Sequence, residues 1–360
     1  MRINLARPGA RPVTPRRYLM GTARYPLFIA VMLCCNVIAV AFGISLGQAD
    51  LPPGQVISSV LNHLTGARFG SLDPVGDYIV WNQRVPRVFA ALVIGAGLSI
   101  AGVLLQTVVR NPMAEPYLLG VSAGAATGAV AMITVGAGLG GLGYQVPLAA
   151  FLGALAAISL VMLVGRRHGV IAPGRLLLSG VAIGYLLQGV TSYLQIRATP
   201  AELGAVMFWL LGSLAGVDAR QTGLAAIVIA AGFGWAMMRA RFANSLLLDD
   251  DSATALGAQV TRLRIELLIV SALATGVCVA LAGGVGFVGL MVPHVVRLLI
   301  GGDHRKLLPG AVLVGALLVT VVDTAGRMAS ESELPLGIFT AFIGVPFLLW
   351  LVRRDPGSGR

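Results

Sequence analysis

The chain has 360 residues, of which 57% are hydrophobic and 11% charged, and its mean hydropathy is +0.86. Because soluble domains carry about 25% charged residues, this composition excludes a conventional soluble enzyme, a disordered protein and a nucleic-acid-binding domain. The net charge of +11 is then a guide to membrane topology, since the basic residues of membrane proteins concentrate in cytoplasmic loops.

Ten apolar runs approach the roughly 20 residues that a helix needs to cross a bilayer. They predict an all-α membrane protein, a polytopic bundle of ten transmembrane helices, at residues 27–46, 88–109, 117–135, 146–165, 176–196, 222–238, 267–281, 285–300, 307–326 and 336–352. Spans seven and eight are separated only by Ala282, Gly283 and Gly284, which predict a tight turn. A shorter run at 204–217, after span five, predicts a re-entrant or interfacial helix.

The basic residues predict the orientation of the bundle. With the N-terminus inside, most of the 26 Lys and Arg residues fall on the cytoplasmic side, as the positive-inside rule requires. We therefore expect both termini in the cytoplasm, with 1–25 a disordered basic tail, 26–354 a transmembrane permease domain and 355–360 a C-terminal tail. A cleaved signal peptide is the alternative, but the first apolar run is long enough to span and lacks a convincing cleavage site.

Three arginines stand out because basic residues are scarce on the predicted outer side. Arg84 and Arg87 come just before span two, and Arg327 ends span nine. They are either snorkelling anchors or partners for the carboxylates of a docking protein, since a guanidinium group pairs with a carboxylate through two hydrogen bonds. Asp323, four residues before Arg327, predicts an ion pair on one helix face.

Spans three and five carry small residues at a spacing of four. They are Gly120, Gly124 and Gly128 in span three and Gly180 and Gly184 in span five. This spacing predicts close helix packing in lipid.

Span five also carries a polar stripe. Gln188, Thr191, Ser192 and Gln195 share one helix face, and Arg197 follows at its outer end. Because polar side chains are costly in lipid unless they face protein or water, the stripe either hydrogen-bonds to other helices or lines a translocation cavity. Arg197 either meets an anionic chelate or anchors the helix.

The longest predicted cytoplasmic connection lies at 239–264. Its string SATALG predicts a short helix, because the preceding acids suit a helix N-terminus and the glycine suits its end. The loop either folds back on the membrane or presents a docking element to a cytoplasmic partner. Within 240–264, the candidate docking residues are Leu246, Leu247, Leu248, Asp249, Asp250, Asp251, Ser252, Ala253, Leu256 and Gly257.

The sequence lacks the common signatures of catalysis. It has neither a GxxxxGK[ST] phosphate loop nor an HExxH motif, and its four histidines, His63, His168, His294 and His304, show no metal-ligand spacing. GVGFVG at 284–289 fits a dinucleotide fingerprint, but a close-packed helix hairpin is the better interpretation between two spans. We expect no enzyme activity, cofactor or metal in this chain.

The predicted spans hold almost no ionisable residues for ion coupling. This favours a pathway whose energy comes from a partner. An ion-coupled secondary transporter is the alternative from another class, and an intramembrane enzyme is a third.

Several strings carry a recognisable pattern when they are taken together. They are QRVPR from 83, NPMAEPYLLGVSAGA from 111, RLLLSGVAIG from 175, FWLLGSLAG from 208, GFVGLMVPHVVRL from 286, DHRKLLPGA from 303 and ELPLGIFTAFIGVP from 333. In this order they resemble one known family, the FecCD-type permeases, which are membrane subunits of ABC importers for iron–siderophore, haem and cobalamin.

The resemblance implies a multi-pass protein of the bacterial cytoplasmic (inner) membrane, often a homodimer with its pathway on the two-fold axis. It implies two cytoplasmic ATPase subunits, which hold ATP and Mg and dock on the helix within 246–260. It also implies an extracytoplasmic binding protein whose acidic residues meet Arg84, Arg87 and Arg327.

The resemblance further implies a cytoplasmic gate and a class of cargo. The gate residues are Asn111, Met113, Ala172 and Pro173. The cargo is a metal chelate, with iron–siderophore first because it is the commonest cargo of the family, and haem and cobalamin as alternatives.

Overall fold

We describe the protein from a computed structural model, which describes residues 24–66, 69–70, 73–136, 142–167, 170–329 and 334–354. Almost all of the predicted N-terminal tail, the whole C-terminal tail and His168 lie outside these residues. The helices are α1 (Tyr25–Ser45), α2 (Pro53–Thr65), α3 (Pro74–Tyr78), α4 (Val85–Val109), α5 (Val121–Val135), α6 (Leu142–Gly165), α7 (Pro173–Arg197), α8 (Pro200–Leu211), α9 (Ala219–Ser245), α10 (Asp250–Ala255), α11 (Val260–Ala282), α12 (Val288–Ile300), α13 (His304–Ala329) and α14 (Leu336–Arg354).

Three short elements accompany these helices. A π-helical turn at Ile79–Arg84 joins α3 to α4, and a 3-10 turn at Pro116–Leu119 precedes α5. Arg166–Arg167 pairs with Val170–Ile171 as a short antiparallel hairpin, with Arg166 opposite Ile171. The helical bundle confirms the predicted fold class.

Eight helices of the described residues are long and apolar enough to cross a membrane. They are the continuous helix at Pro74–Val109 together with α1, α6, α7, α9, α11, α13 and α14. The other two predicted spans correspond to α5 and α12, which have 15 and 13 residues. Each predicted span therefore has its helix, but a count of ten crossing helices is not confirmed.

α12 and α5 are short because their first residues lie inside the bundle. A Cβ added to Gly102, within α4, would lie 1.9 Å from the carbonyl oxygen of Gly289 at the start of α12. Gln106 donates to the carbonyl oxygens of Gly289 and Leu290, both at 3.3 Å. α5 is shortened by Gly120, whose φ of 71° separates it from the preceding 3-10 turn.

α8 ends against the turn between α11 and α12. Gly283 has a φ of 67°, which suits glycine, and a Cβ there would lie 2.1 Å from the carbonyl oxygen of Trp209. The Gly212 carbonyl oxygen, after α8, accepts the Leu336 N–H of α14 at 2.9 Å. The glycine turn is confirmed. The helix predicted at 204–217 forms as α8, but it begins at Pro200 and ends at Leu211, so residues 212–217 are not helical. Its end inside the bundle favours a re-entrant arrangement.

Small residues set the spacing between α5 and its neighbours. A Cβ at Gly124 would lie 2.4 Å from the Gly153 carbonyl oxygen of α6, and one at Gly180 of α7 would lie 2.4 Å from the Leu118 carbonyl oxygen. Gly128 makes a similar approach to α6. The predicted close packing is confirmed at these positions.

Candidate functional site

A cavity of about 410 Å³ lies between the start of α5, α7, α8 and the α11–α12 turn. Its lining is mostly apolar, with aromatic faces from Tyr185 and Trp209 and polar groups from Tyr117, Ser122 and Gln188. An apolar concavity with a few polar groups is the usual form of a small-molecule site. This cavity is therefore the candidate segment of a passage through the bundle.

The polar stripe of α7 divides between the cavity and a helix contact. Gln188 is exposed and lines the cavity. Thr191 is 1% exposed, lies 2.9 Å from the Thr127 hydroxyl of α5 and donates to the Leu187 carbonyl oxygen at 3.0 Å. Interhelical hydrogen bonding thus accounts for Thr191, whereas the cavity interpretation fits Gln188.

The C-terminal part of α7 is largely exposed on the surface of the bundle. Ser192 and Arg197 are exposed and Gln195 is half-buried. The Arg197 guanidinium donates to the Tyr193 hydroxyl at 3.2 Å, one turn back on the same helix. These three residues do not line the cavity of the single chain, and their role in translocation stays a prediction.

Cysteine labelling will separate the two roles on α7. In a cysteine-free background, which removes the exposed Cys34, we expect Gln188→Cys to react with a water-soluble maleimide. Thr191→Cys should react at least about tenfold more slowly, because its side chain is enclosed between helices and needs local opening to react. Equal labelling of the two cysteines would contradict this assignment.

Two of the three outer arginines form an ion-pair cluster with Asp323. Arg87 donates to both Asp323 carboxylate oxygens, with Nη2 at 2.9 Å and Nε at 3.0 Å from Oδ1. Arg327 Nε lies 3.2 Å from Oδ2. Asp323 is 4% exposed and Arg327 5% exposed, so the predicted Asp323–Arg327 pair forms and is buried.

Arg84 and Arg327 also hold the end of α1. Arg84 donates to the carbonyl oxygens of Ser45 and Ala49 at 2.7 and 2.5 Å, and Arg327 donates to that of Gly43 at 2.9 Å. The last carbonyl groups of a helix lack intrahelical partners, and the negative end of its dipole attracts cations. The two arginines therefore fasten α1 to α4 and α13.

These internal partners bear on the predicted docking role. Arg84 is 5% exposed and the Arg87 side chain 13%. The carboxylates of a binding protein would have to compete with Asp323 and with the α1 carbonyl groups. Docking at Arg84, Arg87 and Arg327 stays a prediction, and charge reversal there would disturb the bundle as well as any docking.

The predicted coupling helix forms as α10. The Asp249 carboxylate accepts the Ser252 N–H at 2.7 Å, which lowers the pKa of Asp249 and keeps a negative charge at the helix N-terminus. Ala253 is buried on the inner face, and Gly257 has a φ of 84° after the helix. Asp251 is exposed.

The leucines of this loop have two different environments. Leu246 is fully buried, whereas Leu247, Leu248 and Leu256 are 52%, 50% and 64% exposed. The loop is therefore anchored by one leucine and presents three others. Leu247 and Leu248 lie just before α10 and Leu256 just after it, and exposed leucines beside an anchored helix form a suitable docking surface.

The two predicted gate segments each carry a local role. Asn111 follows α4, and its side-chain oxygen accepts the Met113 N–H at 2.9 Å. Ala172 is the N-cap of α7 and Pro173 its first residue, the position that proline favours. Asn111 and Ala172 are exposed and Met113 and Pro173 half-buried, and gating by these residues stays a prediction.

Three residues that the sequence did not single out lie next to these sites. Arg110 and Arg264 both pair with Asp250, at 2.6 and 2.8 Å, and Glu115 accepts the backbone N–H of Phe287. Arg110 and Glu115 flank the NPMA string. The acidic cluster at 249–251 is the sequence signal that could have pointed to these pairs. Its carboxylates need basic partners, and Arg110 lies earlier in the chain and Arg264 later.

The comparison with protein families decides which transport class this bundle belongs to. The model of the FecCD transport family matches residues 34–354. The chain belongs to that family. It is a multi-pass membrane permease of the ABC importer type, as the resemblance implied.

Individual relatives extend along nearly the whole chain. It is 34% identical over 345 residues to the vitamin B12 import system permease protein BtuC of Klebsiella pneumoniae, covering 96% of both chains. It is 38% identical to the cobalamin import system permease protein BtuC of Halobacterium salinarum, covering 96% of this chain and 90% of the relative. A solved structure described as an inward-facing ABC transporter of metal-chelate type is 30% identical, with a TM-score of 0.77 over 91% of this chain and 99% of that one.

Proposed function

We propose that two copies of this chain form the membrane pathway of an ATP-driven importer for a metal chelate. The observation that carries the proposal is the anchored helix α10 with exposed leucines on both sides of it in the chain, Leu247 and Leu248 before and Leu256 after, which have no cover within the described residues. A bundle without a phosphate loop needs an external source of work. In this proposal two cytoplasmic ATPase subunits, which hold ATP and Mg, bind α10 of each copy.

Substitution of Leu256 will test the docking of the ATPase. Leu256→Glu should lower copurification of the ATPase subunit about tenfold or more, since a charge in the apolar centre of an interface removes a dominant contact. Leu64→Glu on α2 is the matched control, because Leu64 is similarly exposed, at 70% against 64%. Unchanged copurification of Leu256→Glu would contradict docking at α10.

The exposed face of α7 supports the homodimer. Leu178, Tyr185 and Ile196 are 72%, 77% and 84% exposed, and Gln188 and Ser192 lie among them. Contact with lipid is favourable for the apolar residues but costly for the two polar ones. A second copy packed near this face would shield all of them and enclose the cavity near a two-fold axis.

The relatives favour cobalamin as the first candidate cargo. Two permeases of cobalamin import match this chain over 96% of its length, which is more specific than the family's general preference for iron–siderophore. Iron–siderophore and haem are the remaining candidates. Uptake assays with each chelate under the same conditions distinguish the three.

The proposed orientation places α10 and both termini in the cytoplasm of a bacterium with the permease in its inner membrane. The positive-inside distribution of basic residues supports this orientation. An extracytoplasmic binding protein then delivers the cargo to the opposite face, where Arg84, Arg87 and Arg327 lie. Reporters active only in the cytoplasm, fused to each terminus, test the orientation, and silence of either fusion would contradict it.

A further inference from the structure

Asp250, the first residue of α10, is held from two sides. Arg264 of α11 donates to both carboxylate oxygens, at 2.8 and 3.0 Å, and the Arg264 side chain is 4% exposed. Arg110, just after α4, donates through Nη2 to Oδ1 at 2.6 Å. Charge-assisted bonds of this kind are stronger than neutral ones, so α10 is tied to both α4 and α11.

Arg110 also fixes the chain just before α10. Its Nε donates to the Leu246 carbonyl oxygen at 2.7 Å, so one guanidinium group binds Leu246 and Asp250 together. The Arg110 backbone has a φ of 53°, a region that L residues adopt at a cost. Glycine would adopt this backbone conformation more easily. The presence of arginine here therefore indicates that its side-chain contacts are important.

The segment that begins at Arg110 leads to the cavity wall. Glu115 accepts the backbone N–H of Phe287, in the turn between α11 and α12. Tyr117 and Leu118 then line the cavity, opposite Gln188 of α7 and beside the α11–α12 turn. The nine residues 110–118 thus connect Arg110, which binds Asp250 of α10, to the wall of the candidate passage.

We propose that Arg110 is the positioning residue that transmits movement of α10 to the cavity wall. This inference rests on the proposed function, in which the ATPase displaces α10. Since Arg110 holds both Leu246 and Asp250, a shift of α10 must draw residues 110–118 with it or break these bonds. Arg264 provides a parallel connection through α11, which ends at the same turn.

The test measures whether nucleotide on the ATPase changes the exposure of the cavity. The full assembly carries Gln188→Cys in a cysteine-free background, and the probe is a water-soluble maleimide. We expect the labelling rate of this cysteine to change about threefold or more between the nucleotide-free and the vanadate-trapped state, as typical couplings between distant sites allow. With Arg110→Gln added, the nucleotide-dependent change in the labelling rate should fall by at least about half, the remainder being carried by Arg264 through α11, while the ATPase still copurifies and hydrolyses ATP.

Two variants provide the controls. Arg241→Gln makes the same substitution at an exposed arginine of α9 and should keep the nucleotide response of the parent. Arg110→Lys keeps the charge but replaces the two donor nitrogens that bind Leu246 and Asp250 by a single ammonium nitrogen on a shorter side chain, and its response should be intermediate. Because Asp250→Asn already removes one of the two groups that Arg110 holds, the loss in the double variant with Arg110→Gln should be smaller than the sum of the two single losses.

Several results would overturn the inference. They are a full nucleotide response in Arg110→Gln, the same loss in Arg241→Gln, loss of ATPase copurification in Arg110→Gln, and additive losses in the double variant. An equal labelling rate of Gln188→Cys in the nucleotide-free and the vanadate-trapped parent assembly would also overturn the inference, but it would not contradict ATPase docking. Failure of the proposed function itself is distinct, because then no ATPase would copurify with the parent chain.

Discussion

Gly102→Ala should lower the free energy of unfolding of the bundle by about 3 kcal/mol, because it adds a methyl group where two backbones touch. The new Cβ would lie 1.9 Å from the Gly289 carbonyl oxygen and 2.8 Å from its Cα. Neither atom can turn away as a flexible side chain could. α12 would have to move off α4, and the bonds from Gln106 to Gly289 and Leu290 would lengthen.

Thermal unfolding of the detergent-solubilised protein, followed by the fraction that stays monodisperse, measures this effect. Gly234→Ala in α9 is the matched control, since a Cβ there meets nothing within 4 Å. Alanine is the better helix former, so this control should gain roughly 0.5–1 kcal/mol. Equal unfolding of Gly102→Ala and the parent would mean that α4 and α12 do not approach as described.

Asp323→Asn should destabilise the protein by about 3–5 kcal/mol, the usual cost of removing one partner from a buried ion pair. The substitution keeps the size of the side chain but removes the charge that neutralises Arg87 and Arg327. Both guanidinium groups would remain in a largely dehydrated site. The fastening of α1 through Arg327 should weaken at the same time.

The same thermal assay applies, with Asp251→Asn as control because Asp251 is an exposed carboxylate of α10. The control should change the free energy of unfolding by less than about 0.5 kcal/mol. A parental unfolding curve for Asp323→Asn, combined with weaker retention of the binding protein, would instead assign the cluster to docking alone.

The sequence predicted the helices well because their patterns are local. Apolar length, glycine spacing and the acids before SATALG each report on one helix and its ends. The apolar run at 285–300 predicts a short span, and α12 ends where that run ends. Its start could not be predicted in this way, because it depends on where Gly289 meets Gly102 of α4, a contact between residues distant in the chain.

The site residues show the same limit. A stripe on one helix face predicted that Gln188 and Thr191 share an environment, but the neighbouring Thr127 binds Thr191 and leaves Gln188 in the cavity. Likewise, Arg87 is adjacent to span two in sequence, whereas its partner Asp323 is on α13. An ion pair between residues that are 236 positions apart depends on the packed bundle and leaves no periodic signal in the sequence.

If this chain is a pathway whose energy and cargo come from other proteins, uptake should depend on all of its partners. Cobalamin uptake by sealed vesicles is the decisive assay, with ferric siderophore and haem as parallel cargoes. We expect uptake of at least one of these only when the permease, the ATPase with Mg·ATP and the binding protein are all present. Uphill uptake by vesicles that hold this chain alone, driven by an ion gradient, would contradict it.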